Sequence, residues 1–324
     1  MIKRILKAAV IGVGNIGRHH ARVYAGLDGV QLAAVVDIDK YMAQRLADKY
    51  RCSFYADYIK MIREEKPDLV TIAVPTSLHK TIAIDLISRR IPILIEKPIA
   101  DSTKAARDII AKARTKRSIV AIGHIERYNP PIQRLREFLK QGRFGKIISI
   151  STKRVGVYPP QITDVDVLID LAVHDIDVCN FLLAGKPYSV YARAGKALNS
   201  HRYDYADIFL NYRSVDVVLQ VNWITPVKVR ELTLTGTNAY AELNYMHQTL
   251  KIYNKGHGEE DDIINVEEIG LRREEPLKLE LQNFADQVKG RNADIVTAPE
   301  GLLALQIALA AIKSHEQRKI IKIR

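Results

Sequence analysis

The feature that most constrains this chain is a glycine pattern near its start, Gly12-Val13-Gly14-Asn15-Ile16-Gly17. It lies between an apolar run, Lys7–Ile11, and a stretch with helical periodicity, Ile16–Ala25. Three glycines in that register suit one backbone path. Gly12 permits a tight turn out of a strand, Gly14 lets a pyrophosphate reach the backbone, and Gly17 lets strand and helix pack closely. The first turn of the helix, with Asn15 and Ile16, then offers free N–H groups and a positive dipole end to the phosphates. A second apolar run, Gln31–Val36, ends at Asp37, about 20 residues beyond Gly17. A carboxylate there accepts hydrogen bonds from adenosine ribose hydroxyls and repels a 2′-phosphate, which favours NAD over NADP. The competing reading is a plain strand–helix turn, with Asp37 an ordinary turn residue in Asp37-Ile38-Asp39.

The surrounding pattern supports the first reading. Helical stretches at Tyr41–Lys49, Tyr58–Glu64, Leu78–Ser88 and Thr103–Lys116 alternate with continuous apolar runs at Leu69–Val74, Ile91–Ile95 and Ile119–Gly123. Such runs are what strands buried on both faces look like. The rhythm predicts an α/β Rossmann domain, a doubly wound parallel sheet, over residues 1–123. The pattern then changes. A helix is expected from Pro130-Pro131 to about Gln141, another over about Val165–Leu183, and two more at Leu277–Lys289 and Pro299–Gln317. Between them lie strand-like runs at Ile147–Arg154, Ser189–Ala194, Ala206–Tyr212, Val215–Asn222, Arg230–Thr235, Ala239–Asn244 and Leu250–Tyr253. Tight connections such as Gly236-Thr237-Asn238 suggest antiparallel hairpins. Residues 124–324 therefore read as an α+β domain with a large, mainly antiparallel open sheet.

Composition narrows the function classes. The chain has 324 residues, enough for two domains, and a formal charge of +12. No basic run is interleaved with aromatics, so the charge fits a solvated surface, or a pocket for an anionic substrate, better than nucleic acid. The two cysteines, Cys52 and Cys179, are far apart, which fits a reducing cytoplasm and no disulfide framework. The basic start Met1–Lys7 lacks a following cleavage site and is not read as a signal peptide. No uncharged apolar stretch is long enough to span a bilayer.

Three further stretches carry a resemblance. They are Glu96-Lys97-Pro98 after the run Ile91–Ile95, Val74-Pro75-Thr76-Ser77-Leu78-His79, and Asp170-Leu171-Ala172-Val173-His174-Asp175-Ile176-Asp177. With the glycine loop, they resemble the Gfo/Idh/MocA family of sugar and cyclitol dehydrogenases over essentially the whole chain. His124-Ile125-Glu126-Arg127-Tyr128-Asn129-Pro130 and Thr152-Lys153-Arg154-Val155-Gly156 are similar to an archaeal branch of that family, which oxidises carbon 3 of UDP-N-acetylglucosamine. The resemblance implies an NAD-dependent oxidation of a nucleotide sugar, a homo-oligomer (dimer or tetramer), and cofactor contacts from Val74, Pro75, Thr76, His79, Glu96 and Lys97. It also maps Lys97 onto the family's catalytic lysine. A free sugar or inositol as substrate, and a non-catalytic NAD-binding sensor, are the alternatives.

Oxidising a hydroxyl needs a group to take its proton. A lysine at the mouth of a buried strand can be tuned for this, and Lys97 can also donate to the reacting oxygen. From the residues alone, the competing reading is a surface lysine paired with Glu96. Asp170 and His174, four apart, share a face if the segment is α-helical. The Asp can then fix the tautomer of a proton-shuttling His, or the pair can simply stabilise the helix. The family's D-x-x-x-H helix implies the former, and the order of Lys97 and His174 as base and donor stays open. His79 is either a crevice residue or an ordinary helix histidine. Asp175 and Asp177 beside His174 lack further ligand-like spacing, so no metal is expected and Asp175 is read as packing or a cap. Asn129, Arg154 and Tyr158 are substrate candidates: Arg154 to grip a diphosphate, Tyr158 to stack on a base or sugar.

Overall fold

Strand β1 (Leu6–Ile11) is buried along nearly its whole length and pairs in parallel with two neighbours. It sits at the centre of the first sheet of a computed structural model that describes residues 5–158, 165–198, 201–255 and 264–323. Residues 1–4, the first part of the basic start, lie outside those described. After β1 the chain runs through α1 (Gly17–Ala25), β2 (Val30–Val36), α2 (Lys40–Tyr50), β3 (Ser53–Tyr55), α3 (Tyr58–Glu65), β4 (Leu69–Ile72), α4 (Thr76–Ser88), β5 (Ile93–Glu96), α5 (Thr103–Lys116) and β6 (Val120–Gly123). Helices α2, α3 and α5 begin where side chains satisfy their first N–H groups, whereas α1 and α4 have no side-chain cap. Asp39 accepts from Tyr41 and Met42, Asp57 from Ile59, and Ser102 from Ala105. The six strands are parallel in the order β3-β2-β1-β4-β5-β6. Winding therefore reverses between β1 and β4. In open α/β sheets the ligand crevice lies at that point, beyond the strands' C-terminal ends. The short strand β3 has no counterpart in the sequence reading, because three residues are too few to show a period.

The second compact unit opens within a 3₁₀ turn at Ile125–Tyr128, which leads to α6 (Pro130–Lys140), whose first position is a proline. It continues through β7 (Ile147–Val155), a π-helical turn at Leu168–Ala172, α7 (Val173–Leu182), β8 (Ser189–Gly195), β9 (Tyr205–Asn211), β10 (Asp216–Asn222), β11 (Val229–Gly236), β12 (Ala239–Asn244), β13 (Thr249–Lys255) and β14 (Ile264–Glu268). Helices α8 (Pro276–Val288) and α9 (Ala298–Gln317) and strand β15 (Ile321–Lys322) close the chain. The second sheet has the order β14-β13-β12-β11-β7-β10-β9-β8-β15. Its pairs are antiparallel except β7–β10, which runs parallel because the chain leaves β7 and returns through other elements before forming β10. One face is buried, as the alternation in β9 (Ala206, Ile208, Leu210) and β10 (Val217, Leu219, Val221) requires. Every residue of helix α7 except His174 is buried.

A cut after Gly123 does not describe the compact units fully. The chain divides between Ile125 and Glu126, but Leu277–Leu302 belongs with the first unit. The reason is apolar packing. Leu277, Leu281, Phe284 and Ala285 of α8 join the cluster formed by Leu6, Tyr24, Leu27 and Leu94.

Candidate active site

The glycine loop follows β1, and each glycine has its own reason. Gly12 has φ +85°, and a Cβ there would lie 2.6 Å from the Ala73 carbonyl oxygen. A Cβ on Gly17 would lie 1.8 Å from the Gly12 oxygen, so α1 can start only without a side chain. Gly14 differs: a Cβ there would meet nothing within 4 Å, and Asn15 and Ile16 beside it are exposed. Open backbone at the mouth of a helix, on the switch-point side of β1, is what a pyrophosphate needs. Asp37 closes the loop: its carboxylate accepts from the Val13 N–H at 2.8 Å and from the Asp39 N–H at 3.0 Å. Each oxygen keeps a further lone pair for ribose hydroxyls. These residues fit a dinucleotide.

The turn after β4 brings Val74 and Thr76, both partly exposed, and exposed Pro75 to the same end of the sheet. His79 does not join them as a ligand contact. It is 1% exposed, with Nδ1 3.0 Å from the Pro98 carbonyl and Nε2 2.9 Å from the Val74 carbonyl. Burial lowers its pKa below the ordinary value, against both carbonyls, which favour the imidazolium. The expected cofactor contact at His79 is thus corrected. The ring braces the Val74 turn against the segment after Lys97, because burial leaves no nitrogen accessible.

Lys97 is partly exposed just past β5, and the Lys97–Pro98 peptide is cis. Glu96 before it turns its carboxylate inward, where the side chain is 14% exposed. Its carboxylate receives His20 Nε2 of α1 at 2.7 Å and the Lys97 backbone N–H at 3.1 Å. His20 is fully buried, and its Nδ1 has no hydrogen-bond partner. Burial raises the Glu96 carboxyl, but His20 and Lys97 outweigh it and hold it below the usual carboxylate range. Across the sheet Gly123 makes room, since a Cβ there would lie 2.8 Å from Glu96 Oε1. The His20–Glu96 link ties the phosphate-facing helix to the strand that carries Lys97. Sequence reasoning missed it, although His20 stands three residues past the last glycine.

In the second unit, Asp170 is 8% exposed on the π-helical turn and His174 lies partly exposed in the first turn of α7. The expected α-helical i,i+4 face is corrected, because the turn through Asp170 is wound wider than an α-helix. Single π turns inside helices are frequent at functional sites.

Two arginine–aspartate pairs lie beneath this segment. Arg127 forks onto Asp177 at 2.7 and 2.6 Å. Arg154 forks onto Asp175 at 2.9 Å through both Nε and Nη2, and its Nη1 reaches Glu126 Oε1 at 2.8 Å. Burial works against the Arg154 guanidinium, yet Asp175 and Glu126 hold it well above its ordinary value. Burial raises the Asp175 carboxyl against the pull of Arg154. The two parallel hydrogen bonds decide for the ionised pair. Two expectations are corrected here: Asp175 is an ion-pair partner, not packing or a cap, and Arg154 is committed to carboxylates and 4% exposed. Asn129 is likewise internal. It is 3% exposed and donates to Glu126 Oε2 and the Tyr245 carbonyl, with Oδ1 lacking a partner among the described residues. Tyr158 is partly exposed, its ring edge-on to Trp223 with centroids 5.4 Å apart.

Comparison with known proteins agrees across the chain. A family model described as an oxidoreductase family with an NAD-binding Rossmann fold (GFO_IDH_MocA) matches residues 6–124. Its companion, the C-terminal alpha/beta domain, matches residues 136–323. The chain is 30% identical over 319 residues to a UDP-N-acetylglucosamine 3-dehydrogenase of Acidithiobacillus ferrooxidans, covering 97% of this chain and 99% of that protein. That relative is bacterial, where the sequence resemblance pointed to archaeal members. A crystal structure of the A. ferrooxidans enzyme superposes with a TM-score of 0.87 at 28% identity, covering 96% and 98% of the two chains. A scyllo-inositol 2-dehydrogenase (NAD(+)) of Bacillus subtilis is 25% identical, with 95% and 94% covered.

Proposed function

This chain belongs to the Gfo/Idh/MocA family of oxidoreductases, and on that premise we propose that it oxidises carbon 3 of UDP-N-acetylglucosamine or a similar nucleotide sugar. The observation that carries the reading is the likeness to a UDP-N-acetylglucosamine 3-dehydrogenase over 97% of this chain. NAD, when bound, accepts the hydride. Gly12, Gly14 and Gly17, with the start of α1, would hold its pyrophosphate, and Asp37 its ribose. Asp37 opposes a 2′-phosphate by charge.

The hydroxyl proton leaves as the carbon–hydrogen bond is broken. Lys97, carried at the end of β5 and fixed through Glu96, supplies a proton acceptor or a donor to the oxygen that becomes the ketone. His174 supplies the same chemistry from the second unit, with Asp170 to orient it. We assign the two proton roles to this pair without ordering them. Replacing Lys97 by Ala should lower turnover by about 10²–10⁴-fold and leave the dissociation constant of NAD within a few-fold. Unchanged turnover in that variant would favour a non-catalytic NAD-binding protein.

The inositol relative supports a second reading, an uncharged cyclitol as substrate. The deciding experiment incubates the protein with NAD and either UDP-N-acetylglucosamine, its galacto epimer, UDP-glucose or myo-inositol, adds 2-oxoglutarate as an acceptor for cofactor recycling, and reads products by mass. A UDP-sugar lighter by two hydrogens supports the proposal, and turnover of inositol alone sinks it.

A further inference from the structure

Arg230 starts the inner face of β11 directly opposite Arg154 on β7, yet the two guanidinium groups are differently engaged. Arg154 is closed, with every nitrogen on a carboxylate. Arg230 uses only Nη1, which donates to the Val155 and Val229 carbonyls at 2.5 and 2.8 Å. Its Nε–Nη2 edge, the edge by which Arg154 grips Asp175, has no partner among the described residues. Asp175 and Glu126 lie close enough to act on Arg230 by charge, but both are committed to Arg154; Asp170 on the π-helical turn acts on it too. Burial comes first, and repulsion from Arg154 adds to it, so the guanidinium is pulled down to about 10. Gly156 lies next to both Lys228 and Arg230: a Cβ there would lie 3.8 Å from Lys228 Cα and Cγ and 3.9 Å from Arg230 Nη1.

A partly buried arginine fixed at one nitrogen by backbone, with its forked edge unused, is prepared for a planar or tetrahedral oxyanion. We propose that Arg230 is the residue that distinguishes a nucleotide sugar from an uncharged polyol, gripping a phosphoryl group of the substrate through its Nε–Nη2 edge. The inference rests on the nucleotide-sugar reading above. Sequence reasoning gave this task to Arg154. The cross-strand register places both arginines on one face, and the carboxylates of the second unit take only the first.

The test titrates UDP into NAD-loaded wild type, Arg230→Ala and Arg230→Lys, and measures kcat and KM for UDP-N-acetylglucosamine. Arg230→Ala should weaken UDP and raise KM by roughly 10–100-fold, with the larger part of the loss in KM. Arg230→Lys, which keeps the charge and loses the fork, should fall between. A urea unfolding transition matching wild type shows that each variant is folded, and if the alanine variant fails this check the lysine variant carries the comparison. Equal UDP binding by wild type and the folded variants overturns the assignment while leaving the nucleotide-sugar reading intact. Failure of wild type itself to bind UDP overturns that reading, and the occupant named for Arg230 with it.

Discussion

Gly14 and Gly17 stand three residues apart in one motif, but a side chain at each has a different consequence. Gly14 faces open space, so Gly14→Val should leave the unfolding midpoint nearly unchanged and weaken NAD binding by an order of magnitude or more, because the side chain takes the pyrophosphate's place. Gly17→Ala drives a methyl group into the Gly12 carbonyl, so it should destabilise the fold by about 1–3 kcal/mol. Calorimetric NAD titration and urea unfolding of both variants separate the two effects. Equal loss of stability would refute the division of labour. The same logic distinguishes Glu96 from Lys97. The carboxylate is held by His20 and by backbone, so its work is to fix the strand end that presents the lysine.

Helix α7 and the turn before it form an element whose polar side chains are held from below. Asp175 and Asp177 each face an arginine at under 3 Å, and neither pair is open to water. Removing one partner strands a buried charge. Asp175→Ala should therefore cost about 3–5 kcal/mol in chemical denaturation. A cost below 1 kcal/mol would mean that the Arg154 guanidinium finds solvent or another carboxylate. These pairs fix the frame that carries His174 and the π-helical turn with Asp170.

At the scale of the whole molecule, two buried groups give stability the same dependence on pH. His79 and Glu96 both have folded-state pKa values below their ordinary ones. In each case the unfolded chain binds the proton more readily, so the contribution is full above the ordinary value and is lost as pH falls. For His79 the loss begins near pH 6.5, and for Glu96 near 4.5. Unfolding midpoints measured from pH 8 to pH 5 should decline, and His79→Gln should flatten the upper part of that decline. A wild-type midpoint that rises on acidification would contradict the assignment of His79 as a neutral brace. The second unit also leaves one face of its nine-stranded sheet open, with Tyr205 and Phe209 on it among polar neighbours.

The sequence alone determined what is local. Gly12, Gly14, Gly17 and Asp37 specify a turn, an open approach and a charge within one strand–helix–strand unit, so their spacing carries the Rossmann fold and its fit to a dinucleotide. The alternation of β9 and β10 and the buried runs of β4 and β5 were legible for the same reason: side-chain periodicity is a property of one segment. What only the tertiary structure decided is which charges meet. Arg127, Arg154 and Arg230 look alike in the sequence. Strand register places Arg230 opposite Arg154, and the packing of α7 brings Asp175 and Asp177 to Arg154 and Arg127. The energy of a buried charge depends on partners far away along the chain, so the choice of which arginine keeps a free edge could not be read before the chain was folded.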